Sequence, residues 1–440
     1  MLSALATDLY QLTMMAGYQH VGLVGRSTFE LFVRTLPAHR GYLMAAGLEQ
    51  ALELLEGLRF TEDEIRYLRA VPALAGAPEL FFSDLLPSFR FTGDVWAVPE
   101  GEIVFAQEPI LRVTAPSLEA QLVETALLAT ITFQTSIASK TARVVHAAQG
   151  RSVVEFGTRR AHGLDAGLHA ARASYIAGCS ATSNVESGYR FGIPLSGTMA
   201  HSWVMSFKRE IDAFREYLAL YGESATLLID TYDTLAAARA IVDAGLKPGS
   251  VRLDSGDLVA LSREVRRVLD EGGLSATRIL ASGDLDEYSI AELVAQRAPV
   301  DAFGVGTAIS TSRDAPALGG VYKLVAIERD GEMAPVAKLS AGKRTLPGIK
   351  QVWRRSDAAS ATGDVIALSD EPVPAGRPLL TKVMEVGRRL HPSARLDDTR
   401  RYAERALGEL PEAVRRLEGW DDYPIGLSPS LDALTARMAR

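Results

Sequence analysis

Val251-Arg252-Leu253-Asp254-Ser255-Gly256-Asp257-Leu258 decides the fold. A β-prone run passes into a polar, glycine-bearing turn, and Leu258 opens a segment that is apolar at helical spacing, so the stretch predicts a strand feeding a helix. The same texture recurs on both sides, in Val153-Val154-Glu155-Phe156-Gly157, Tyr175-Ile176-Ala177-Gly178, Leu195-Ser196-Gly197-Thr198, Leu227-Leu228-Ile229-Asp230, Ile279-Leu280-Ala281-Ser282-Gly283 and Ala302-Phe303-Gly304-Val305-Gly306. Runs spaced by roughly 20 to 30 residues are what parallel strands with crossover helices produce. The expected class is α/β, with a β/α barrel preferred to a doubly wound open sheet.

Outward from this core the texture changes. Residues 1–145 predict an α+β domain. Tyr42 to Leu58 is apolar at helical spacing, and Thr61-Glu62-Asp63-Glu64 reads as a helix cap. Short β-prone runs between Phe91 and Ala115, broken by Pro99, Gly101 and Pro109, predict a small antiparallel sheet, and Ser117 to Gln149 a long helix. The barrel is expected over residues 146–325. Residues 326–440 are expected to pack back on the N-terminal domain and complete it, with extended segments at Val321–Glu328 and Val336–Leu339 around Asp330-Gly331 and helices from Ser393 onward.

With 440 residues the chain exceeds what one core usually organises. Hydrophobic residues at 47% and charged residues at 23% leave little room for extensive disorder. A net charge of -7 offers no global positive field, so neither nucleic acid nor an acidic membrane is an expected partner. The single cysteine, Cys179, excludes an intramolecular disulfide and a multi-cysteine zinc site, which suits a reducing cytoplasm. Met1 to Met15 lacks the basic stretch and unbroken apolar core of a signal peptide, and no run approaches the roughly 18 apolar residues of a membrane span.

The chemistry-bearing residues fall at the ends of the expected strands. Carboxylates such as Asp254 can accept from a ribose diol, and Arg252 can grip a phosphate or carboxylate; the competing reading of that turn is a helix cap with a surface ion pair. Ala281-Ser282-Gly283-Asp284 and Phe303-Gly304-Val305-Gly306-Thr307 have the form of phosphate cradles, because glycine lets backbone amides approach an anion. Phe156 could stack on a flat heteroaromatic ring while Arg159 meets an anionic substituent, the competing reading being a core phenylalanine beside solvated arginines. His201, just past a strand end, could be a general base or a phosphoryl acceptor, with Asp230 orienting its imidazole. No histidine or cysteine stands near it at metal-ligand spacing, so no protein metal site is expected. Lys343 to Lys350 is the densest basic stretch, either a solvated loop or a flap over phosphate.

In order along the chain, Thr7-Asp8-Leu9-Tyr10, Leu36-Pro37-Ala38-His39-Arg40-Gly41-Tyr42, Glu155-Phe156-Gly157-Thr158-Arg159-Arg160-Ala161, Gly197-Thr198-Met199-Ala200-His201-Ser202, Asp230-Thr231-Tyr232-Asp233-Thr234, Arg252-Leu253-Asp254-Ser255-Gly256-Asp257 and Gly304-Val305-Gly306-Thr307 resemble the nicotinate phosphoribosyltransferase family. The resemblance covers roughly residues 5 to 355. It implies an irregular barrel, a split N-terminal domain, and a homodimer with active sites shared between subunits. The implied reaction joins nicotinate to 5-phosphoribosyl 1-pyrophosphate, giving nicotinate mononucleotide and pyrophosphate in NAD biosynthesis, with coupled ATP hydrolysis and Mg2+ carried on the substrate.

By the same resemblance Phe156 and the partner's Tyr10 would sandwich the pyridine ring. Arg159 and Arg252 would face the anionic substrates, Asp254 would lie near the ribose, and Gly283, Asp284, Gly306 and Thr307 would seat the 5-phosphate. The partner's Arg40, and Lys323, would approach the phosphates, and His201 would be the histidine that ATP phosphorylates. Nicotinamide phosphoribosyltransferases carry an aspartate where this chain has Ser183; a hydroxyl can donate to the nicotinate carboxylate that an aspartate would repel. Ala181 and Cys179-Ser180 depart from the family's loop, which carries Gly and Phe-Asp there. The alternatives are the nicotinamide enzyme, quinolinate phosphoribosyltransferase, and a silent ligand-binding relative.

Overall fold

The computed structural model describes residues 3–23, 25–340, 342–357, 360–372 and 375–439. The chain divides into two compact units, residues 137–316 and residues 1–136 together with 317–440.

The first of these units is built on six parallel strands, β1 (Ser152–Glu155), β2 (Ala181–Thr182), β3 (Thr226–Leu228), β4 (Ser250–Leu253), β5 (Arg278–Ala281) and β6 (Ala302–Val305). Their order across the sheet is β2-β1-β6-β5-β4-β3, every pair parallel. Among the described residues no ladder joins the outermost β2 to β3, so the sheet is a half-barrel, extended past β2 only by a parallel bridge from Thr182 to Leu195. Along β4, Val251 and Leu253 are fully buried while Arg252 and Asp254 are half-buried, the alternation of a strand with one face toward a core and one toward a site. The helix Leu258–Glu271 that follows buries Ser262, Val265, Val268 and Leu269, and Asp257 accepts the Ala260 N–H as its N-cap. Residues a helical turn apart thus form the apolar stripe that covers the sheet.

Six of the seven expected strand runs hold a strand or bridge near the expected place. Tyr175-Ile176-Ala177-Gly178 does not. It closes the helix Leu164–Ile176, and the strand arrives later, at Ala181–Thr182. Tyr175 shares a buried helical face with Leu168 and Ala171, so packing overrides the β propensity of the Tyr-Ile pair.

The other unit carries a seven-stranded sheet in the order Glu332–Pro335, Gly320–Arg329, Arg26–Val33, Pro109–Pro116, Asp94–Ala97, Thr381–Glu385 and Arg388–Arg389, antiparallel throughout. Early and late segments are therefore neighbours in one sheet. The turn at Asp330-Gly331 has both residues at positive φ, +52 and +83, the twist a two-residue hairpin requires. Its return strand is Glu332–Pro335 rather than the expected Val336–Leu339. The expected cap is present, as Thr61 and Glu64 exchange hydrogen bonds at the start of the helix Glu62–Arg69.

A four-stranded sheet (Arg377–Pro378, Lys350–Asp357, Ser360–Leu368, Ile425–Leu427) takes in Lys350 from the basic stretch and, at Ile425–Leu427, interrupts the helices expected from Ser393 onward. The basic residues Lys350 and Arg354 within it are not solvated. Arg354 is fully buried, with Nη1 2.7 Å from Glu102 and Nη2 2.6 Å from Asp364. Lys350 is buried against Glu30 at 2.8 Å and donates to the carbonyls of Leu346 and Gly348. With Thr345, Pro347 and Gly348 buried too, Lys343–Lys350 is half packing rather than a free flap.

Candidate active site

In the half-barrel unit the carboxyl ends of β3, β4 and β5 bring their polar residues into one cluster. The strand period of two puts Arg252 and Asp254 on the same face, where Arg252 Nη2 donates to Asp254 Oδ1 at 2.5 Å. Arg252 Nε donates to Ser282 Oγ at 2.7 Å, and that hydroxyl donates to Asp254 Oδ1 at 2.6 Å. This closed triangle holds the guanidinium 5.7 Å from the centre of the Phe156 ring. The other Asp254 oxygen, Oδ2, stands 3.8 Å from His201 Nε2.

The imidazole has a different partner from the one expected. His201 Nδ1 lies 3.1 Å from Thr231 Oγ1. Asp230, expected to orient it, instead accepts the Asp254 N–H at 3.1 Å and the Ser255 hydroxyl at 2.6 Å through Oδ2. A carboxylate at the end of β3 faces two donors of the adjacent β4 turn, and satisfying them turns it away from the ring. Asp230 Oδ1 is buried without a hydrogen-bond partner, as is Glu210 Oε1. Burial, with Asp230 and Asp233 adding repulsion, pushes the Glu210 carboxyl up to about 7.

Two glycines are required by contact. A Cβ on Gly283, at φ +92, would stand 1.9 Å from the Asp254 carbonyl oxygen, so the β5 loop can lie against the β4 turn only as glycine. A Cβ on Gly304 would stand 2.5 Å from the Phe156 ring. Gly283-Asp284 and Gly306-Thr307 follow β5 and β6, which pair directly through Ala281 and Phe303, so both expected phosphate loops lie on neighbouring strand ends. Asp284 adopts φ +50, Gly283 and Asp284 are exposed, and Gly306 and Thr307 are half-buried.

Arg159 and Ser183 are exposed, past the ends of β1 and β2. A cavity of about 450 Å³ opens at the amino ends of the strands, lined by Ser152, Thr226, Ser250, Arg278 and Asp301, and reaches Phe156; the Arg252–Asp254–Ser282 cluster, at the carboxyl ends, does not line it. No group of three or more His, Cys, Asp or Glu among the described residues could hold a metal ion.

Tyr10, Arg40 and Lys323 belong to the other unit. Tyr10 is 48% exposed, and burial together with Glu124 and Asp8 raises its phenol. Lys323 Nζ is 3.8 Å from Glu124. Arg40 is only 2% exposed, and its Nη1 donates to the His39 carbonyl. Sequence reading passed over Thr231, and it read Ser282 only as part of a cradle. The available signal for Ser282 was position, one residue past β5 beside the two-residue spacing of Arg252 and Asp254.

Residues 5–132 match the family model for the nicotinate phosphoribosyltransferase N-terminal domain, residues 375–435 that for the nicotinate phosphoribosyltransferase C-terminal domain, and residues 137–315 that for the quinolinate phosphoribosyl transferase C-terminal domain. Nicotinate phosphoribosyltransferase pncB2 of Mycobacterium tuberculosis is 45% identical, with 99% of this chain and 93% of the relative covered. Nicotinate phosphoribosyltransferase of Bacillus subtilis is 41% identical over 97% of this chain and 93% of its own length. The crystal structure of human nicotinic acid phosphoribosyltransferase superposes with a TM-score of 0.86 at 30% identity, covering 98% of this chain and 99% of that one.

Proposed function

We propose, because this chain belongs to the nicotinate phosphoribosyltransferase family, that it joins nicotinate to 5-phosphoribosyl 1-pyrophosphate in NAD biosynthesis, releasing nicotinate mononucleotide and pyrophosphate. The observation that carries the reading at the level of the site is the Arg252–Asp254–Ser282 triangle, with Phe156 on one side and His201 on the other. In the reaction the bond from the ribose anomeric carbon to pyrophosphate breaks, its electron pair leaving with pyrophosphate. The pyridine nitrogen supplies the pair for the new bond. Such a step needs orientation and charge stabilisation more than a protein nucleophile.

Phe156 stacks on the pyridine ring, Arg159 and Arg252 face anionic groups, and Ser183 donates to the nicotinate carboxylate. Asp254 holds the ribose diol with the lone pairs that Arg252 and Ser282 leave open. The amides of Gly283, Asp284, Gly306 and Thr307 seat the 5-phosphate. Tyr10 of a second copy closes over the base in a homodimer, Lys323 approaches the phosphates, and the reaction is assigned to the cytoplasm. The carboxylates of Asp254 and Asp230, with Asp230 Oδ1 buried without a hydrogen-bond partner, would suit Mg2+ arriving on the substrate, which would supply positive charge to the leaving pyrophosphate.

ATP hydrolysis is assigned to His201. With Nδ1 engaged by Thr231, Nε2 carries the lone pair that attacks the γ-phosphorus, ADP leaving with the bridging oxygen and water later cleaving the phosphohistidine. The phosphoryl group then lies beside Asp254, so its negative charge acts directly on the ribose wall. The test uses γ-labelled ATP and the purified chain: His201→Ala should abolish acid-labile labelling and ATP hydrolysis while slow synthesis without ATP persists. Unchanged labelling in that variant would remove the histidine from the scheme.

A further inference from the structure

Between the two strand ends that hold Phe156 and Ser183 lies a polar network that the reaction, as described, does not use. Glu155, the last residue of β1, is only 1% exposed. Its Oε1 accepts the Gly157 N–H, and its Oε2 accepts the Thr182 hydroxyl at 2.6 Å. Thr182, in β2 and fully buried, accepts in turn the Asn184 N–H at 3.0 Å. The Asn184 side chain runs back to the turn after β1, where Nδ2 donates to Thr158 Oγ1 at 3.0 Å while Oδ1 caps the helix Val185–Phe191 through the Ser187 N–H. The backbone closes the same gap, since the Ser183 N–H donates to the Glu155 carbonyl at 2.9 Å. Phe156, Gly157 and Thr158 are thereby tied on one side, and Thr182, Ser183 and Asn184 on the other.

The chemistry of this ring is unusual for structural packing. Among the described residues no cation pairs with Glu155, so a buried carboxyl is held only by donors from the two loops it joins. Burial pushes this carboxyl up, and the Thr182 and Gly157 bonds oppose the shift. An uncompensated buried acid is costly, and a packed apolar pair would join two strands at less cost. What the acid adds is direction: each oxygen accepts from one loop, which sets how far the Phe156 turn stands from Ser183. Room for the turn is equally restricted, since a Cβ on Gly157 would stand 2.5 Å from Ser310 and 2.8 Å from the Glu155 carboxylate.

We infer that Glu155 and Thr182 are positioning residues for base recognition, fixing the Phe156–Arg159 turn against Ser183 so that the ring and carboxylate of a planar pyridine monocarboxylate are met together. The inference rests on the reading of Phe156, Arg159 and Ser183 as the base site. Neither Glu155 nor Thr182 is placed on the substrate; both act through the loops they hold.

Thr182→Val keeps shape and removes the hydroxyl, Thr182→Ser keeps the hydroxyl, and Glu155→Gln keeps an acceptor for only one loop. In the full chain, Thr182→Val and Glu155→Gln should raise the KM for nicotinate about tenfold or more, the loss expected when a hydrogen bond to a charged group is removed. The KM for phosphoribosyl pyrophosphate should stay within about twofold, and Thr182→Ser should restore nicotinate KM to near the parent value. Equal rises in both KM values, a nicotinate KM unchanged in both variants, or a serine no better than valine would each overturn the inference. Ser183→Asp tests the underlying reading separately: it should lose nicotinate and gain nicotinamide turnover. If Ser183→Asp behaves so while Thr182→Val is silent, the base site stands and the positioning ring falls; if Ser183→Asp is silent, the assignment of Ser183 falls whatever the ring does.

Discussion

At the residue scale, the strand-end cluster depends on atoms that leave no slack. Gly283 is the sharpest case, because both its φ and its distance to the Asp254 carbonyl exclude a side chain. Gly283→Ala is expected to lower stability by about 1–3 kcal/mol and to raise the KM for phosphoribosyl pyrophosphate far more than that for nicotinate. Steady-state kinetics in both substrates, alongside thermal melting, check this; a variant with parent kinetics would show that the β5 loop is not a phosphate seat. The types of residue at this site were legible in sequence, since Arg252, Asp254, Phe156 and His201 stand at strand ends where β/α folds gather their chemistry. Their partners were less legible. Chain order alone makes Asp230 the natural orienter of His201, because it closes the next strand, yet two donors of the β4 turn claim it and leave the ring to Thr231.

At the scale of elements, periodicity located most of the parallel strands and failed where two rules conflicted. Tyr175-Ile176 is β-prone in composition but sits on the buried face of a helix. Lys350 closes a stretch that reads as a solvated loop or a flap, yet it is a buried ion partner at the start of a strand, as Arg354 is further along the same strand. No local pattern reveals that, because Glu30 and Glu102 lie hundreds of residues away and Asp364, only 10 positions from Arg354, meets it through strand pairing. The helix Glu210–Tyr221 supplies a prediction of its own. Its first residue has a carboxyl raised from the ordinary range to about 7, so the folded state holds a proton that the unfolded state has released. Its contribution is complete below the unfolded value and is lost as pH rises through about 7. Glu210→Gln should therefore raise the melting temperature relative to the parent at about pH 8, with the difference shrinking toward about pH 5. A difference constant across that range would show that Glu210 titrates normally.

At the scale of the whole molecule, the half-barrel unit is continuous in sequence while the other unit is assembled from both ends of the chain. Arg354 shows what holds such an assembly together. With Glu102 and Asp364 it forms a buried network, to which the exposed Arg377 adds a second cation on Glu102, and which joins a residue near position 100 to strands beyond position 350. Removing one member strands the opposite charges, so Arg354→Met is expected to cost about 3–5 kcal/mol, read as a lower urea midpoint for the full chain. An unchanged midpoint would mean that apolar packing alone closes the split unit. No helix among the described residues is long and apolar enough to cross a membrane.

The central claim is that the β4–β5 strand ends, with Phe156 and Ser183, transfer a phosphoribosyl group to nicotinate. The direct measurement is product formation by the purified chain from phosphoribosyl pyrophosphate with nicotinate, nicotinamide or quinolinate, each with and without ATP. The account expects nicotinate mononucleotide and equimolar pyrophosphate, stimulated by ATP, with nicotinamide and quinolinate at least about tenfold slower. Turnover of nicotinamide or quinolinate equal to or faster than that of nicotinate, or no product from any base, would contradict it.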